Sequence, residues 1–349
     1  MKQDEHAKWV KRKKKLCAKR KKSKKKKKQY YTKLYVIGNG FDLHHGILSS
    51  YLNFKDFLKE NDPDVYCLVE TYLGNDYEFW SDFEENLALL DEDKILDYAS
   101  KYLVSCGAED WSDANHHDYQ YEIKKIIEPL IRGLKQNFID WVFQMEIQQN
   151  KNQMLDLEGD SQFLSFNYTS TLEKLYKINN SNIKHIHGKV INSDSDLIVG
   201  HDYKKPNNKP DLNKIRRESG EEAYDEYLEE LSGKDVRVSE GNDIINSYFT
   251  DTYKPTSDII EENKAFFNKM KNIKEVIIIG HSLGKVDIPY FEKIFKSINN
   301  SNVKWTVTYH KEKEILEHQE ALKKIGIKDK QINVVKMDYF YPSEGVLFA

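Results

Sequence analysis

The sequence predicts an α/β fold built on a mostly parallel sheet. Three observations carry this prediction. Short β-prone apolar runs at Leu34 to Ile37, Phe163 to Phe166 and Val276 to Ile279 are too brief for helices, and each breaks into a polar or glycine-containing turn. Helical patterns separate these runs, as crossovers between parallel strands require. From Glu275 onward the alternation is regular: strand EVIIIG, a helix from about Ile288 to Ile298, strand Val303 to Tyr309, helix Lys313 to Lys324 and strand Ile332 to Val335.

The chain has 349 residues, 39% of them hydrophobic, enough for one large domain with a substantial insertion. No apolar run approaches the roughly 18–20 residues that span a bilayer, and no secretory h-region follows the basic N-terminus. Cys17, Cys67 and Cys106 are odd in number and widely spaced, which fits neither a disulfide framework nor a paired zinc site. A cytoplasmic protein without a membrane span is the expectation.

Charge is divided unevenly. Residues 1–33 carry 17 Lys and Arg against 2 acids, so the remainder has 37 basic and 55 acidic residues, and the overall −3 conceals a basic tail on an acidic body. Blocks of like charge at Lys11 to Lys15 and Lys24 to Lys28 predict a disordered segment over 1–32. Such a tail can hold nucleic acid or anionic lipid through phosphate contacts that weaken as salt rises, or lie solvated against the body.

The first strand opens into the turn GNGFD, and Ser49 and Ser50 then stand where a helix N-cap would, ahead of Tyr51, Phe54, Phe57 and Leu58 at helical spacing. Ser81 and Glu84 have capping-box spacing, with Trp80 and Glu84 read first as parts of an amphipathic core helix and second as pocket residues. A long helical pattern covers about Asp118 to Gln148, which Pro129 should kink or divide. The strand Phe163 to Phe166 ends at Asn167, and Ser170 with Glu173 predicts another capped helix. Ile183 to His187 and Leu197 to Val199 read as further short strands. Between about 203 and 263 the sequence turns polar and charged, which predicts an inserted helical flap or loop region.

Four motifs fall at predicted strand ends: GNGFD, SFNYT, IHG and GHSL. Gly38 and Gly40 permit a tight turn and close approach of a phosphate, although the dinucleotide fingerprint lacks its third glycine. Together the motifs place a phosphate cradle, the Asn167 amide, the His187 imidazole and the Ser282 hydroxyl along the sheet edge where α/β proteins bind ligands. A serine hydrolase is the rival reading, because GHSLG matches a nucleophile elbow between strand and helix. After Ser282, however, only His310 and His318 remain as bases, and Asp287 is the only aspartate before them. The adjacent pairs His44-His45 and His116-His117 diverge in regular structure, and His185 with His187 lacks a third ligand, so no metal is expected.

GNGFDLHHGILSSYLNF, FWSDFEENL, LSFNYTSTLEKLY, HIHG, LIVGH and IIIGHSLGKVDIPYF, in this order, resemble the bacteriophage abortive-infection AbiH family. Their order is also similar to the sirtuin-like NAD-binding fold, which implies a Rossmann-like, mostly parallel sheet over residues 33–349. That resemblance implies Asn167 and His187 as catalytic residues. It implies Gly38 and Gly40 as the pyrophosphate loop and Ser282 as a ribose contact; Asn39 and Asp42 stand where that fold has small residues, and with Phe41 and Gly280 they complete the expected NAD-binding set. The zinc-binding cysteine pairs of deacylating sirtuins are absent, which turns the expectation from deacylation to an NAD glycohydrolase that arrests or kills the infected cell. A nucleotide sensor without turnover is the binding-only alternative. The implied partners are a nucleotide ligand, a phage-derived trigger, nucleic acid through the tail and a second copy of the chain.

Overall fold

The computed structural model describes residues 31–104, 117–148, 150, 153–206, 216–222, 235–299 and 301–342. The basic tail expected over 1–32 lies, up to residue 30, outside the described residues. Six strands form the sheet: β1 (Lys33–Ile37), β2 (Gln162–Ser165), β3 (Ile183–His185), β4 (Glu275–Ile279), β5 (Lys304–Tyr309) and β6 (Ile332–Lys336). All pairings are parallel and the order is β3-β2-β1-β4-β5-β6. The chain therefore steps outward from β1 to β3, returns across the sheet to β4, and steps outward again. Where that order reverses, between β1 and β4, the loops at the carboxyl ends diverge and leave a crevice.

Helices cover both faces, so the strands are apolar on both sides rather than alternating with polar residues. Leu34 and Val36 of β1 join Val276, Ile278, Trp305 and Val307 on one face, where Tyr290, Phe291 and Ile294 pack against them. Tyr35 and Ile37 point the other way, to Phe163, Ile277, Ile279, Phe41 and Leu172. Tyr35 and Phe163 stack with ring centroids 4.9 Å apart.

A third core is mostly helical, built largely from the chain between β1 and β2, and Tyr168, Val190 and Leu197 also join it. After α1 (Asn39–His44), a single short turn whose Phe41 packs on the sheet face, it draws on α2 (Tyr51–Asn61), α3 (Pro63–Tyr72), α4 (Asp118–Glu128) and α5 (Leu134–Gln144). Ser50 caps α2 as its sequence predicts, accepting from Asn53 N–H. Pro129 does divide the long pattern: Pro129–Gly133 is a π-helical turn between α4 and α5, because proline has no N–H to continue the α-helical ladder. Phe54 lies at the centre of this core, with Phe83, Phe138, Trp141 and Trp80 around it at ring distances of 5.2–6.3 Å.

One local reading differs from the structure. Leu197 to Val199 is not a strand: after β3 the chain turns at Gly188 (φ +90) and passes the site as an extended segment, with Ile198 N–H bonded to the His187 carbonyl at 2.9 Å. The charged stretch 203–263, read as an inserted helical flap or loop region, includes helix among its described residues. Its part from Val236 to Asp251 is α6, whose Ile245, Tyr248 and Phe249 are buried in the helical core. Residues 207–215 and 223–234 of that stretch lie outside the described residues.

Buried imidazoles give the fold a pH dependence. His45 faces the Phe41 carbonyl through Nδ1 at 2.7 Å, so that nitrogen carries the proton, and Nε2 accepts from Tyr176 OH at 2.7 Å. Burial pushes its pKa down to about 4, and burial lowers His44, His187, His201 and His318 as well. A histidine held neutral in the fold contributes stability that is full above its unfolded pKa and is lost as pH falls towards the folded one. His45 alone should account for on the order of 3 kcal/mol between pH 6.5 and 4. Urea unfolding at pH 7.5 and 5 tests this, and equal stability at both would contradict it.

Candidate functional site

A cleft of about 430 Å³ occupies the crevice between β1 and β4. Its sheet side is polar, formed by Asn39, Asp42, Asn167, His187, Lys254 and Asp287; its helical side is aromatic, formed by Trp80, Phe138 and Trp141 with Met145. Of the residues the sequence singled out, Gly38, Asn39, Gly40, Asp42, Asn167, His187, Gly280 and Ser282 all line it. Phe41 does not. Its ring is fully buried on the sheet face beside His45 and Tyr176, because an apolar side chain in this turn is drawn into the core.

The glycines build the floor by letting two loops touch. Gly38 N–H donates to the Ile279 carbonyl at 3.0 Å, and Gly40 N–H to the Gly280 carbonyl at 2.7 Å. Phe41 N–H returns to the Gly38 carbonyl at 2.9 Å. These donors, which the sequence suggests for a pyrophosphate, are thus engaged by the protein itself. Gly280 has φ +63, and a Cβ there would lie 2.2 Å from Phe41 N. Gly280→Ala should therefore cost about 3 kcal/mol. Gly46→Ala, with φ +75 but open space around it, should cost only about 1 kcal/mol. Equal losses by thermal denaturation would show that close approach of the loops is unimportant.

Three polar groups face the cleft with unused hydrogen-bonding capacity. Asn167 follows β2, is 7% exposed, and makes no well-formed hydrogen bond among the described residues through Oδ1 or Nδ2, although its amide lies close enough to Asp42 to act on that carboxyl. Its backbone is fixed by Ser165 Oγ, which accepts from Asn167 N–H at 3.2 Å. Asp42, on α1, accepts from Thr169 Oγ1 through Oδ2 at 2.6 Å, while Oδ1 has no partner. Burial raises the Asp42 pKa against the opposing effect of Thr169, Thr171 and the nearby Asn167 amide. His187, just past β3, is buried with Nε2 unpartnered and 3.8 Å from Asp287 Oδ1. Burial first, and the Lys254 charge second, push its pKa well below the ordinary value, against the pull of Asp287. The imidazole is therefore neutral at pH 7 and a weaker base than its free form.

Beside these lies a buried ion network. Lys254 Nζ sits 3.1 Å from both Glu84 Oε2 and Asp287 Oδ1. Tyr51 donates to Glu84 Oε1, and the Tyr168 hydroxyl is 3.1 Å from the same oxygen. His281 accepts from Leu283 N–H through Nδ1 at 2.9 Å, which leaves the proton on Nε2, 3.5 Å from Asp287 Oδ2. Burial opposes both charges, yet the carboxylates raise the Lys254 pKa, and Lys254, followed by the two histidines, holds Asp287 well below the usual carboxylate range. The network ties the helical core, the strap after α6 and the loop after β4 into one wall.

Sequence spacing assigned Glu84 chiefly to a helix cap, but the Ser81–Glu84 box does not form: Ser81 ends a five-residue helix, and Glu84 turns to the tyrosines and Lys254. The Ser170–Glu173 box is not made either, because Glu173 pairs with His185 and Lys189. Lys254 gave no signal among the many lysines of its stretch. Ser282 is exposed at the cleft rim, and the left-handed residue of its turn is Leu283 (φ 57), so the strained serine of a nucleophile elbow is not formed. The adjacent His281 faces Asp287 instead.

These features define a doubly wound parallel α/β protein with a mixed polar and aromatic cleft at its switch point. The family model for bacteriophage abortive infection AbiH matches residues 34–309, most of the chain, and the protein belongs to that family. Its role is in abortive infection by phage. No curated protein matches the chain. Among the described residues no helix is long and apolar enough to cross a membrane, and no group of three or more His, Cys, Asp or Glu is arranged to hold a metal ion.

Proposed function

We propose that the cleft binds NAD and hydrolyses its nicotinamide–ribose bond, and that the resulting NAD loss arrests or kills the infected cell. The observation that carries this reading is Asn167: a buried amide with neither polar atom in a well-formed hydrogen bond, set at the carboxyl edge of β2 beside Asp42 and within the same cleft as His187. An amide so placed can orient a water by donating and accepting at once. The aromatic wall of Trp80, Phe138 and Trp141 suits a planar ring, and the exposed Ser282 hydroxyl at the rim supports a polar contact with the ligand.

In the reaction the C1′–N bond breaks with its electron pair passing to the pyridinium nitrogen, so nicotinamide leaves neutral. Water oxygen bonds to C1′, and its proton passes to a base in the cleft. A positively charged, oxocarbenium-like ribose is the species to be stabilised, and carboxylates near it lower its energy. His187 and Asp42 are the available acceptors. Purified protein incubated with NAD should release nicotinamide and ADP-ribose, separable by chromatography. Binding without release would favour a nucleotide sensor, and no binding would overturn the proposal.

A further inference from the structure

The sheet releases the chain just before Asn167. Phe166 N–H donates to the Ile37 carbonyl and Ile186 N–H to the Ser165 carbonyl, both at 2.9 Å, and β2 itself stops at Ser165. The backbone groups of Asn167 are held by side chains instead. Its N–H donates to Ser165 Oγ at 3.2 Å, and its carbonyl lies 3.0 Å from His185 Nδ1, with Ser165 Oγ farther from that oxygen at 3.4 Å. Ser165 and His185 are register partners on the last rung between β2 and β3, so their side chains leave the same face of the sheet. A carbonyl can only accept, so His185 Nδ1 carries a proton and donates it there. On the other side of the ring, Nε2 lies 3.1 Å from Glu173 Oε1, and Glu173 is tied in turn to Lys189. The two side chains are only 11% and 15% exposed, which separates this contact from a loose surface pair. Burial opposes the Glu173 charge, yet His185 and Lys189 hold its pKa down at about 2.

We infer that His185 is a positioning residue of the cleft: by holding the Asn167 carbonyl, with Glu173 setting the plane of its ring, it fixes the direction in which the Asn167 amide enters the cleft. With N–H and carbonyl both engaged, the Asn167 backbone keeps one conformation, and the side chain leaves it in one direction. His185, Glu173 and Lys189 do not line the cleft, so they reach its chemistry through what they hold. A second route is electrostatic, because the charge of a protonated His185 acts on the Asp42 carboxyl. The two routes are separable by substitution. The consequence for rate rests on the hydrolysis reading above; the placement of the amide does not.

The test divides the functions of the ring between two variants. His185→Asn keeps an N–H donor near the Nδ1 position and gives up the Glu173 contact, whereas His185→Gln keeps a donor near Nε2 and gives up the Asn167 carbonyl; both remove the ring charge. NAD cleavage is measured together with the Asn167 side-chain amide signals in hydrogen–nitrogen correlation spectra, assigned by their loss in Asn167→Ala. His185→Gln should lower kcat and kcat/KM alike by about 10²-fold, the cost of misplacing a catalytic group by about 1 Å, and should shift the Asn167 signals. His185→Asn should stay within about 10-fold of wild type and leave those signals in place. Equal losses in the two variants would overturn the inference, because the effect would then follow the lost charge near Asp42. Asn167 signals unmoved in His185→Gln would overturn it as well. If the wild-type chain releases no nicotinamide, the hydrolysis reading fails, and the amide signals decide the inference by themselves. Should either variant fail to fold, wild type with isotope-labelled histidine decides: a proton on His185 Nδ1 supports the inference, and a ring protonated on Nε2 alone overturns it.

Discussion

Lys254→Ala is expected to destabilise the protein by about 3–5 kcal/mol, the loss typical when one member of a buried ion network is removed and the remaining charge is left without a partner. The ammonium lies fully buried between Glu84 and Asp287, and both acids would then face each other across the cleft wall. Lys254→Met should cost nearly as much, because it fills the volume without answering the charge. The difference from wild type should shrink at lower pH, where one of the two carboxyls takes up a proton and the repulsion between them ends. Urea titration of wild type and Lys254→Met at pH 7.5 and 5.5 measures this directly. A loss that is small, or independent of pH, would show that packing rather than charge holds the wall.

Asn167→Ala should remove NAD cleavage and cell toxicity, with a fall of the order of 10²–10⁴ in rate, as loss of positioned acid–base help typically brings. Its melting temperature should be nearly unchanged. The Asn167 amide lies near the Asp42 carboxyl without a well-formed hydrogen bond, and that carboxyl keeps Thr169 as a partner when the amide is removed. His187 needs a different substitution. Its ring packs at 5.2 Å from Phe166 and 5.5 Å from Tyr290, so alanine would open a cavity, whereas His187→Gln retains bulk and polarity. That variant should likewise lose activity while folding normally. Activity retained in either variant would remove that residue from the mechanism.

Much of this fold could be read from the chain because its strands are buried on both faces and broken by glycine or asparagine turns. EVIIIG, SFN and LYVIGNG announce β4, β2 and β1 almost to the residue. The position of Asn167 followed from the same logic, since a polar residue directly after a buried strand must lie at the sheet edge. Glu84 was legible only as a second reading, and Lys254 not at all, for an equally physical reason. Their roles depend on partners 170 residues apart in sequence, and a lysine or glutamate within a charged segment looks like solvated surface until the fold buries it. The glycine loop was misleading in a related way. Its spacing allows close approach, but sequence cannot say whether a phosphate or another loop approaches, and here Gly280 and His281 do. The strand expected at Leu197 to Val199 failed because an extended apolar triplet has no way to signal whether a neighbouring strand is available to pair with it.

The central claim is that the cleft between β1 and β4 destroys NAD during infection. Intracellular NAD and nicotinamide, followed by mass spectrometry after phage addition in cells expressing wild type or Asn167→Ala, test it most directly. The account predicts that NAD falls and nicotinamide rises before lysis with wild type alone, and that protection disappears with Asn167→Ala. Protection from phage by wild type with NAD held at its uninfected level would contradict it.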